Sequence, residues 1–228
     1  MAALGPVLSK QFCSISQTTF SVRKRPRAVQ GGGFVVTNCS GLDLAFRTEA
    51  CAGLGVKGEL VLRDSNGIAL FLVRKKVNPI FAVLIKFGQY FDVLFFIAGK
   101  WEDPARHAVS FHRQWRAYSL DYEGTEKLIF CVKEPLLCFA KKCSLKVQLA
   151  ASSFNSWDFE INGSFIDRQC TITDHRGKLV AEIRAQNKAG TLVSKDLYYV
   201  IVQPGFDQAF VFGIIAILDN IYEGSTAY

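Results

Sequence analysis

Residues 204–222 read PGFDQAFVFGIIAILDNIY and form the stretch that decides the fold. Residues 209–218 present no polar face, so a helix here has to be enclosed on every side by protein or lipid. This apolar stretch is about half as long as the roughly 20 residues that a bilayer-spanning helix needs, which favours a buried core helix. Pro204 and Gly205 end the preceding strand, and Asp207 is placed to cap the first turn. We therefore predict a structural core helix with the key positions Asp207, Ala209, Phe210, Gly213, Ile214 and Ile217.

A strand-turn-strand pattern recurs four times before this helix. In each copy Asp or Asn stands three residues before Gly, between two runs of residues typical of strands. Asp or Asn at the first turn position accepts hydrogen bonds from the backbone, and Gly adopts a positive φ, which together give a type I turn with a bulge between antiparallel strands. The predicted turn pairs are Asn38 and Gly41, Asp64 and Gly67, Asp121 and Gly124, and Asp174 and Gly177.

Four hairpins in one chain indicate a meandering antiparallel sheet, and a long sheet protects its edges by closing. Further strands are predicted at residues 145–149, 157–161 and 197–203, and Asp167 and Arg168 are predicted to lie in a strand as an edge or outward pair. A closed barrel has to be filled, and the all-apolar helix is suited to fill it. The predicted fold class is therefore mainly β, with a closed antiparallel barrel around a buried, apolar C-terminal helix.

Composition sets the class of protein. The chain has 228 residues, of which 50% are hydrophobic and 19 are Phe, so it can bury a sizeable core and its bulk is not disordered. The formal charge of +7 suggests an acidic partner such as anionic lipid headgroups or nucleic acid, although no specific nucleic-acid motif is present. Seven cysteines without a secretory leader pattern indicate an intracellular protein, cytoplasmic or peripheral at the plasma membrane, and we expect a monomer.

The N-terminal region has its own composition. Residues 1–42 contain no Asp or Glu, and residues 23–27 read RKRPR. We favour a mobile basic N-terminus over residues 1–30 that leads into a basic edge strand, followed by one domain over residues 31–222 and a tail over residues 223–228. An organellar transit peptide and a nuclear-import cluster are the alternatives, so a nuclear location stays open.

Several motifs carry a resemblance to a known family. GGFVV at residues 32–36, GELVLRDSNG at 58–67, FEINGSFIDR at 159–168 and VQPGFDQAF at 202–210 resemble the LURP-one-related proteins of plants. The fold of that family is similar to the C-terminal domain of tubby and to phospholipid scramblases. The resemblance covers most of residues 31–222 and implies a twelve-stranded tubby-like barrel around a central C-terminal helix.

One segment departs from the family pattern. In the family, a strand that ends like Arg74-Lys75-Lys76 runs almost directly into a segment like residues 112–118, whereas here residues 77–111 intervene. A retained intron read in frame, a genuine insertion and a membrane-inserting loop are the three interpretations. Lys86 and Asp92 near the middle of the segment oppose the last, because each would cost about 1–3 kcal/mol inside a bilayer.

The residue types of common catalytic and metal sites are sparse. His107, His112 and His175 are the three histidines, and none has neighbours that would hold it as a general base. Cys131, Cys138 and Cys143 lack the spacing and the nearby His of a zinc motif. We predict no catalytic residue, no metal site and no cofactor, and hence no enzyme.

Basic side chains remain as candidates for a binding site. Lys and Arg clustered at a barrel rim can hold lipid phosphates through charge-assisted hydrogen bonds, with a solvated rim as the ordinary alternative. The predicted lipid-phosphate residues are Arg74, Lys75, Lys76, Lys141, Lys142 and Lys146.

This site and the resemblance together lead to one functional expectation. We expect a non-enzymatic module that binds phospholipid or phosphoinositide or is tethered to a membrane, with a regulatory role in plant defence. A protein-interaction scaffold without lipid binding is the alternative, and scramblase-like lipid transport ranks lower.

Overall fold

Twelve antiparallel strands form one closed barrel around the C-terminal helix in the computed structural model, which confirms the predicted fold class. The structure describes residues 5–26, 32–50, 59–76, 113–120, 124–134, 144–152, 157–186 and 195–222. The strands are β1 (Thr18–Lys24), β2 (Phe34–Asn38), β3 (Leu44–Ala50), β4 (Glu59–Asp64), β5 (Ala69–Lys76), β6 (Arg113–Leu120), β7 (Glu126–Glu134), β8 (Leu145–Leu149), β9 (Phe159–Ser164), β10 (Gln169–Asp174), β11 (Leu179–Ala185) and β12 (Leu197–Val202). The helix α1 spans Gln208–Tyr222.

The order of the strands around the barrel is the same as their order in the sequence. Each strand pairs with the next one in sequence, and β1 pairs with β12 to close the barrel. Closure leaves none of these twelve strands with an open edge, which removes a template for aggregation. The strands β5 and β6, which flank the intervening segment at residues 77–111, are direct neighbours. That segment itself lies outside the described residues.

The helix occupies the centre of the barrel. Every residue from Ala209 to Asp219 is buried, as the absence of a polar face predicts. Phe212 packs against the rings of Phe20 and Phe46 at centroid distances of 5.2 and 5.0 Å. Phe210 packs against the rings of Phe130 and Phe159 at 5.0 and 4.8 Å. Since Phe210 and Phe212 project to opposite sides of a helix, these contacts join α1 to two opposite walls of the barrel.

The hairpins explain why the strands meander. Gly41, Gly67, Gly124 and Gly177 all have φ between 74° and 84°. Each of the four hairpins also contains a register shift. Asp64 Oδ1 accepts hydrogen bonds from the backbone of Asn66 at 2.9 Å and of Ile68 at 2.8 Å. Asp174 Oδ1 accepts the equivalent bonds from Arg176 and Lys178, at 2.9 Å each. Asn38 accepts from Ser40 Oγ at 2.6 Å, and Asp121 lies outside the described residues.

The structure corrects the start of the domain. Residues 1–30 were expected to form a mobile N-terminus, but Thr18–Lys24 is strand β1 and closes the barrel against β12. Part of the basic cluster is therefore structural. The Lys24 Nζ lies 3.2 Å from Asp219 Oδ1 at the end of α1, and the Arg25 side chain donates to the Thr48 carbonyl.

Asp207 joins the N-terminal segment to the start of α1. Its Oδ1 accepts from the Phe210 backbone at 3.1 Å, which caps the helix, and its Oδ2 accepts from Leu8 and Ser9 at 2.7 and 3.1 Å. One side chain thus satisfies three backbone donors from two segments that lie far apart in the chain.

Replacing Asp207 with alanine is expected to lower the free energy of unfolding by about 2–4 kcal/mol, because a helix cap and two hydrogen bonds to a carboxylate are lost together. Urea denaturation followed by circular dichroism measures the change. Ser9→Ala is the control, since the Ser9 Oγ accepts one exposed hydrogen bond at 3.4 Å. Equal stability of the two variants would contradict this role for Asp207.

The two ends of the barrel differ. The strands β2 and β3, β4 and β5, β6 and β7, and β10 and β11 are joined by the short hairpins at one end, which we call the turn end. We call the other end, where β1, β3, β5, β7, β9 and β11 finish, the loop end. Its connections include residues 77–112 and 186–196, which are much longer. Binding residues concentrate on such connections and on the strand ends beside them, so a binding site is expected at the loop end.

Candidate lipid-phosphate site on the barrel surface

Three lysines lie in one line across the outside of the barrel near the loop end. The strand register pairs Lys76 on β5 with Gln114 on β6, Gln114 with Lys133 on β7, and Lys133 with Lys146 on β8. Residues that pair directly across antiparallel strands point to the same face of the sheet. All three lysines are exposed, and Gln114 is partly buried between them. We call Lys76, Lys133 and Lys146 the lysine row.

The spacing of the lysine row suits a surface with several negative charges. Neighbouring strands lie about 4.8 Å apart, so the row extends over roughly 15 Å of the barrel wall. Lys133 and Lys146 are direct cross-strand neighbours, an arrangement of like charges that destabilises a sheet by a few tenths to about 1 kcal/mol. Any anion placed between the two ammonium groups would reduce this repulsion.

The surroundings of the row leave its ammonium groups accessible. The Lys146 Nζ lies 5.6 Å from the centre of the Trp157 ring, a cation–π contact that positions the ammonium group. Lys146 pairs across the strands with Glu160, the acidic residue at the end of the row. The Glu160 carboxylate accepts a hydrogen bond from Ser144 Oγ.

The predicted rim residues separate into different environments. Lys76 and Lys146 are in the lysine row. Arg74 is engaged by two carboxylates, with Nε 2.7 Å from Glu59 and Nη1 2.6 Å from Glu126. Partial burial lowers the pKa of Arg74, but the hydrogen bonds and charges of Glu126 and Glu59 outweigh it and raise that pKa. Arg74 therefore serves the fold, because its charge is already neutralised.

The remaining predicted residues are not brought into the row. Lys75 alternates with Lys76 along β5 and holds its Nζ 5.5 Å from the centre of the buried Trp115 ring. Lys141 and Lys142 lie outside the described residues. Their assignment to lipid phosphate stays a prediction, as does that of the whole set.

Sequence reasoning missed Lys133. The alternation of β7 does point it outward, since Phe130 and Val132 face the core and Lys133 is exposed. Its neighbours could not be predicted, because the register of β6 with β7 shifts between Ala117 and Tyr118. A shift of one residue turns every following side chain to the other face.

Other reactive side chains form no second site in the described parts of the chain. Those residues contain no group of three or more His, Cys, Asp or Glu placed to hold a metal ion. His175 is exposed and accepts a hydrogen bond from Arg176 Nε at 3.2 Å in a hairpin turn, and His107 and His112 are not among the described residues. Among the helices that are described, none has both the length and the apolar character to cross a bilayer.

Cys170 is a buried thiol rather than a nucleophile. Burial raises its pKa to about 12, although the positive charge of Arg168 opposes that shift. The thiolate is the reactive form of cysteine, so this thiol is unreactive near neutral pH.

The stability of the protein should depend on pH through Cys170. Between about pH 9 and 12 the thiol ionises in the unfolded chain but not in the folded one. The free energy of unfolding of wild type should therefore fall relative to Cys170→Ala by about 1.4 kcal/mol per pH unit. Urea denaturation at pH 8 and pH 10 measures this difference. Cys39→Ala, which removes an exposed thiol, is the matched control. A constant difference between wild type and Cys170→Ala would contradict the prediction.

The comparisons with known proteins cover all twelve strands of the barrel. A family model described as LURP-one-related matches residues 18–219. Protein LURP-one-related 6 of Arabidopsis thaliana is 36% identical over 222 residues, which is 97% of this chain and 98% of the relative. Protein LURP-one-related 16 of the same plant is 37% identical over 230 residues, which is 97% of this chain and 94% of the relative. Protein LURP-one-related 5, again of Arabidopsis thaliana, is 27% identical over 223 residues, covering 96% of this chain and 90% of the relative. No solved structure matches this chain.

Proposed function

The chain belongs to the LURP-one-related family, and from that premise we propose that it is a non-enzymatic regulatory module that binds anionic phospholipid headgroups. The lysine row is the observation that carries the proposal. It presents three ammonium groups on one face, beside a tryptophan, and the ion pairs that neutralise other basic residues are absent from its described contacts.

The charge of the row sets the strength of binding. Each Lys near an anionic membrane surface contributes about 1 kcal/mol, so three contribute about 3 kcal/mol. That energy corresponds to about a hundredfold in affinity. Phosphoinositides, which carry several phosphates on one headgroup, are the ligand class that best matches a line of three charges.

Reversal of the row to glutamate, as Lys76→Glu, Lys133→Glu and Lys146→Glu in one chain, is expected to weaken binding to phosphoinositide-containing vesicles at least about a hundredfold. Co-sedimentation with vesicles at about 0.1 M salt measures the affinity. Wild type should lose affinity as salt rises, because the charges are exposed and become screened. Binding by the triple variant as tight as that of wild type would remove the row from the proposal.

Two controls separate lost binding from lost folding. Vesicles of neutral phosphatidylcholine should not bind wild type. The triple variant should unfold cooperatively at a urea concentration close to that of wild type, because the exchanged side chains are exposed and the pair at 133 and 146 stays like-charged. If wild type itself fails to bind anionic vesicles, a protein-interaction scaffold becomes the better account.

A further inference from the structure

Arg168 is buried inside the loop end of the barrel. It follows β9 in a turn that the Phe165 carbonyl closes by accepting the Arg168 backbone N–H at 3.1 Å. Its φ is 55°, and it is the one non-glycine residue with a positive φ among the described residues. The predicted outward pair on a strand is thus wrong, because this left-handed turn directs the Arg168 side chain inward, where 1% of the residue is exposed.

The backbone conformation of Arg168 is unfavourable for a residue that carries a side chain. A residue with a Cβ loses about 1–2 kcal/mol in this conformation, and such strain concentrates at binding sites and switches. Glycine would relieve the strain but would remove the guanidinium group.

Two aromatic rings hold that group. The guanidinium carbon lies 4.4 Å from the centre of the Phe165 ring and 4.2 Å from the centre of the Tyr198 ring. The Nε donates to the Lys195 carbonyl at 3.1 Å. These contacts hold the guanidinium plane in one orientation. The N–H bonds of its two Nη atoms therefore point in fixed directions.

The polar atoms that remain are unsatisfied. Arg168 Nη1 and Nη2 and the Tyr198 hydroxyl are buried and have no hydrogen-bond partner in the described structure. Burial raises the pKa of Tyr198 more than Arg168 lowers it, so the hydroxyl keeps its proton and is able to donate. Buried donors without acceptors are rare, and a charged one is the most costly kind.

The carboxylates at this end do not satisfy Arg168. Asp219 forms an ion pair with Lys24, and the two side chains are 9% and 12% exposed. Glu134 acts on Tyr222 at the same end, where burial first and then Glu134 raise the Tyr222 pKa. Neither carboxylate accepts a hydrogen bond from the Nη atoms of Arg168. Lys24 and Asp219 neutralise each other, so the charge of Arg168 lacks a bonded counter-ion.

We infer that Arg168 and Tyr198 form an internal oxyanion site, which takes a phosphate or carboxylate group through the two Nη atoms and the phenolic hydroxyl. Guanidinium binds both groups in a forked geometry, and the hydroxyl supplies a third donor. A bound water would satisfy one donor but would leave the buried charge unbalanced. Because Arg168 and Tyr198 are each 1% exposed, the ligand that we infer is a small free anion, and the site is separate from the exposed lysine row.

The test measures the melting temperature of the full chain in inorganic phosphate, in acetate and in chloride at equal ionic strength. Phosphate or acetate should raise the melting temperature by about 5–10 °C when its concentration exceeds its Kd a hundredfold. The rise should vanish in Arg168→Gln and shrink in Tyr198→Phe. It should persist in Arg184→Gln, which removes an exposed arginine paired with Glu182.

A second measurement needs only the wild-type protein. In wild type, the NMR signals of the Arg168 guanidinium should move on titration with the same anion, while those of Arg184 stay in place. If neither phosphate nor acetate moves the Arg168 signals or raises the melting temperature, the donors are hydrated and the inference fails. An equal rise in wild type and Arg168→Gln would also overturn it.

The vesicle assay distinguishes a free anion from a lipid headgroup as the ligand of Arg168 and Tyr198. Arg168→Gln should bind phosphoinositide vesicles as tightly as wild type, because the lysine row is intact. If Arg168→Gln instead loses vesicle binding while folded, the site takes a lipid headgroup and the inference of a free anion is wrong. Failure of the lysine-row proposal would leave the phosphate titration unaffected.

Discussion

Replacing Gly213 with glutamate is expected to abolish the folded barrel. Gly213 lies in the middle of α1, where a Cβ would already come within 3.1 Å of both the Phe71 and Phe130 rings. Glutamate adds both excess volume and an unpaired negative charge beside two apolar rings. The combined cost is about 5 kcal/mol or more, which equals the whole stability of many domains. Circular dichroism and size-exclusion chromatography should show an unfolded or aggregated chain.

A matched change on the same helix isolates the effect of burial. Gln208 is the first residue of α1 and is partly exposed, with its Nε2 3.3 Å from Thr18 Oγ1. Gln208→Glu places the same charge beside the positive end of the helix dipole, so stability should change by no more than about 0.5 kcal/mol. Native-like melting of Gly213→Glu would refute the helix-filled barrel.

The second large effect is expected at Gly163, where β9 approaches β10. Its φ is 107°, and an added Cβ would lie 2.3 Å from the Gln169 carbonyl oxygen and 2.9 Å from the Cys170 Cα. Both obstacles are backbone atoms of the paired strand, which cannot rotate away. Gly163→Ala should therefore lower the free energy of unfolding by about 3 kcal/mol or more, as urea denaturation would measure.

Gly177 provides the comparison for this strand. It also has a positive φ, of 78°, but nothing lies within 4 Å of an added Cβ. Gly177→Ala should lower the free energy of unfolding by only about 1 kcal/mol, because a residue with a Cβ disfavours a positive φ. If the two alanine variants lose equal stability, the close strand approach at Gly163 is not what requires glycine.

Local patterns in the sequence were sufficient for the helix and the hairpins. A residue such as Asp64 or Asp174 forms its turn through bonds to residues two and four positions away, so the signal is contained in a few adjacent letters. The central helix was predictable for a related reason, because an element without a polar face has only an interior to occupy.

Long-range register was not predictable in this way. The lysine row depends on the pairing of four strands and on one register shift, and no single segment encodes it. Likewise, the prediction that Arg168 lies in a strand is wrong, because its positive φ arises from the turn that Phe165 closes. The start of the barrel was misplaced because β1 derives its partners from β12, at the far end of the chain.

The lysine row is the central functional claim, and one comparison of two triple variants tests it most directly. The first variant carries glutamate at Lys76, Lys133 and Lys146. The second carries Lys10→Glu, Lys127→Glu and Arg176→Glu, three exposed residues near the turn end.

Both variants have the same formal charge, so only the position of the change differs. In vesicle co-sedimentation with phosphoinositide-containing membranes, the first variant should lose at least about a hundredfold in affinity. The second should stay within about fivefold of wild type, because distant exposed charges are screened at 0.15 M salt. Equal losses in the two variants would contradict the claim, since binding would then follow net charge rather than the lysine row.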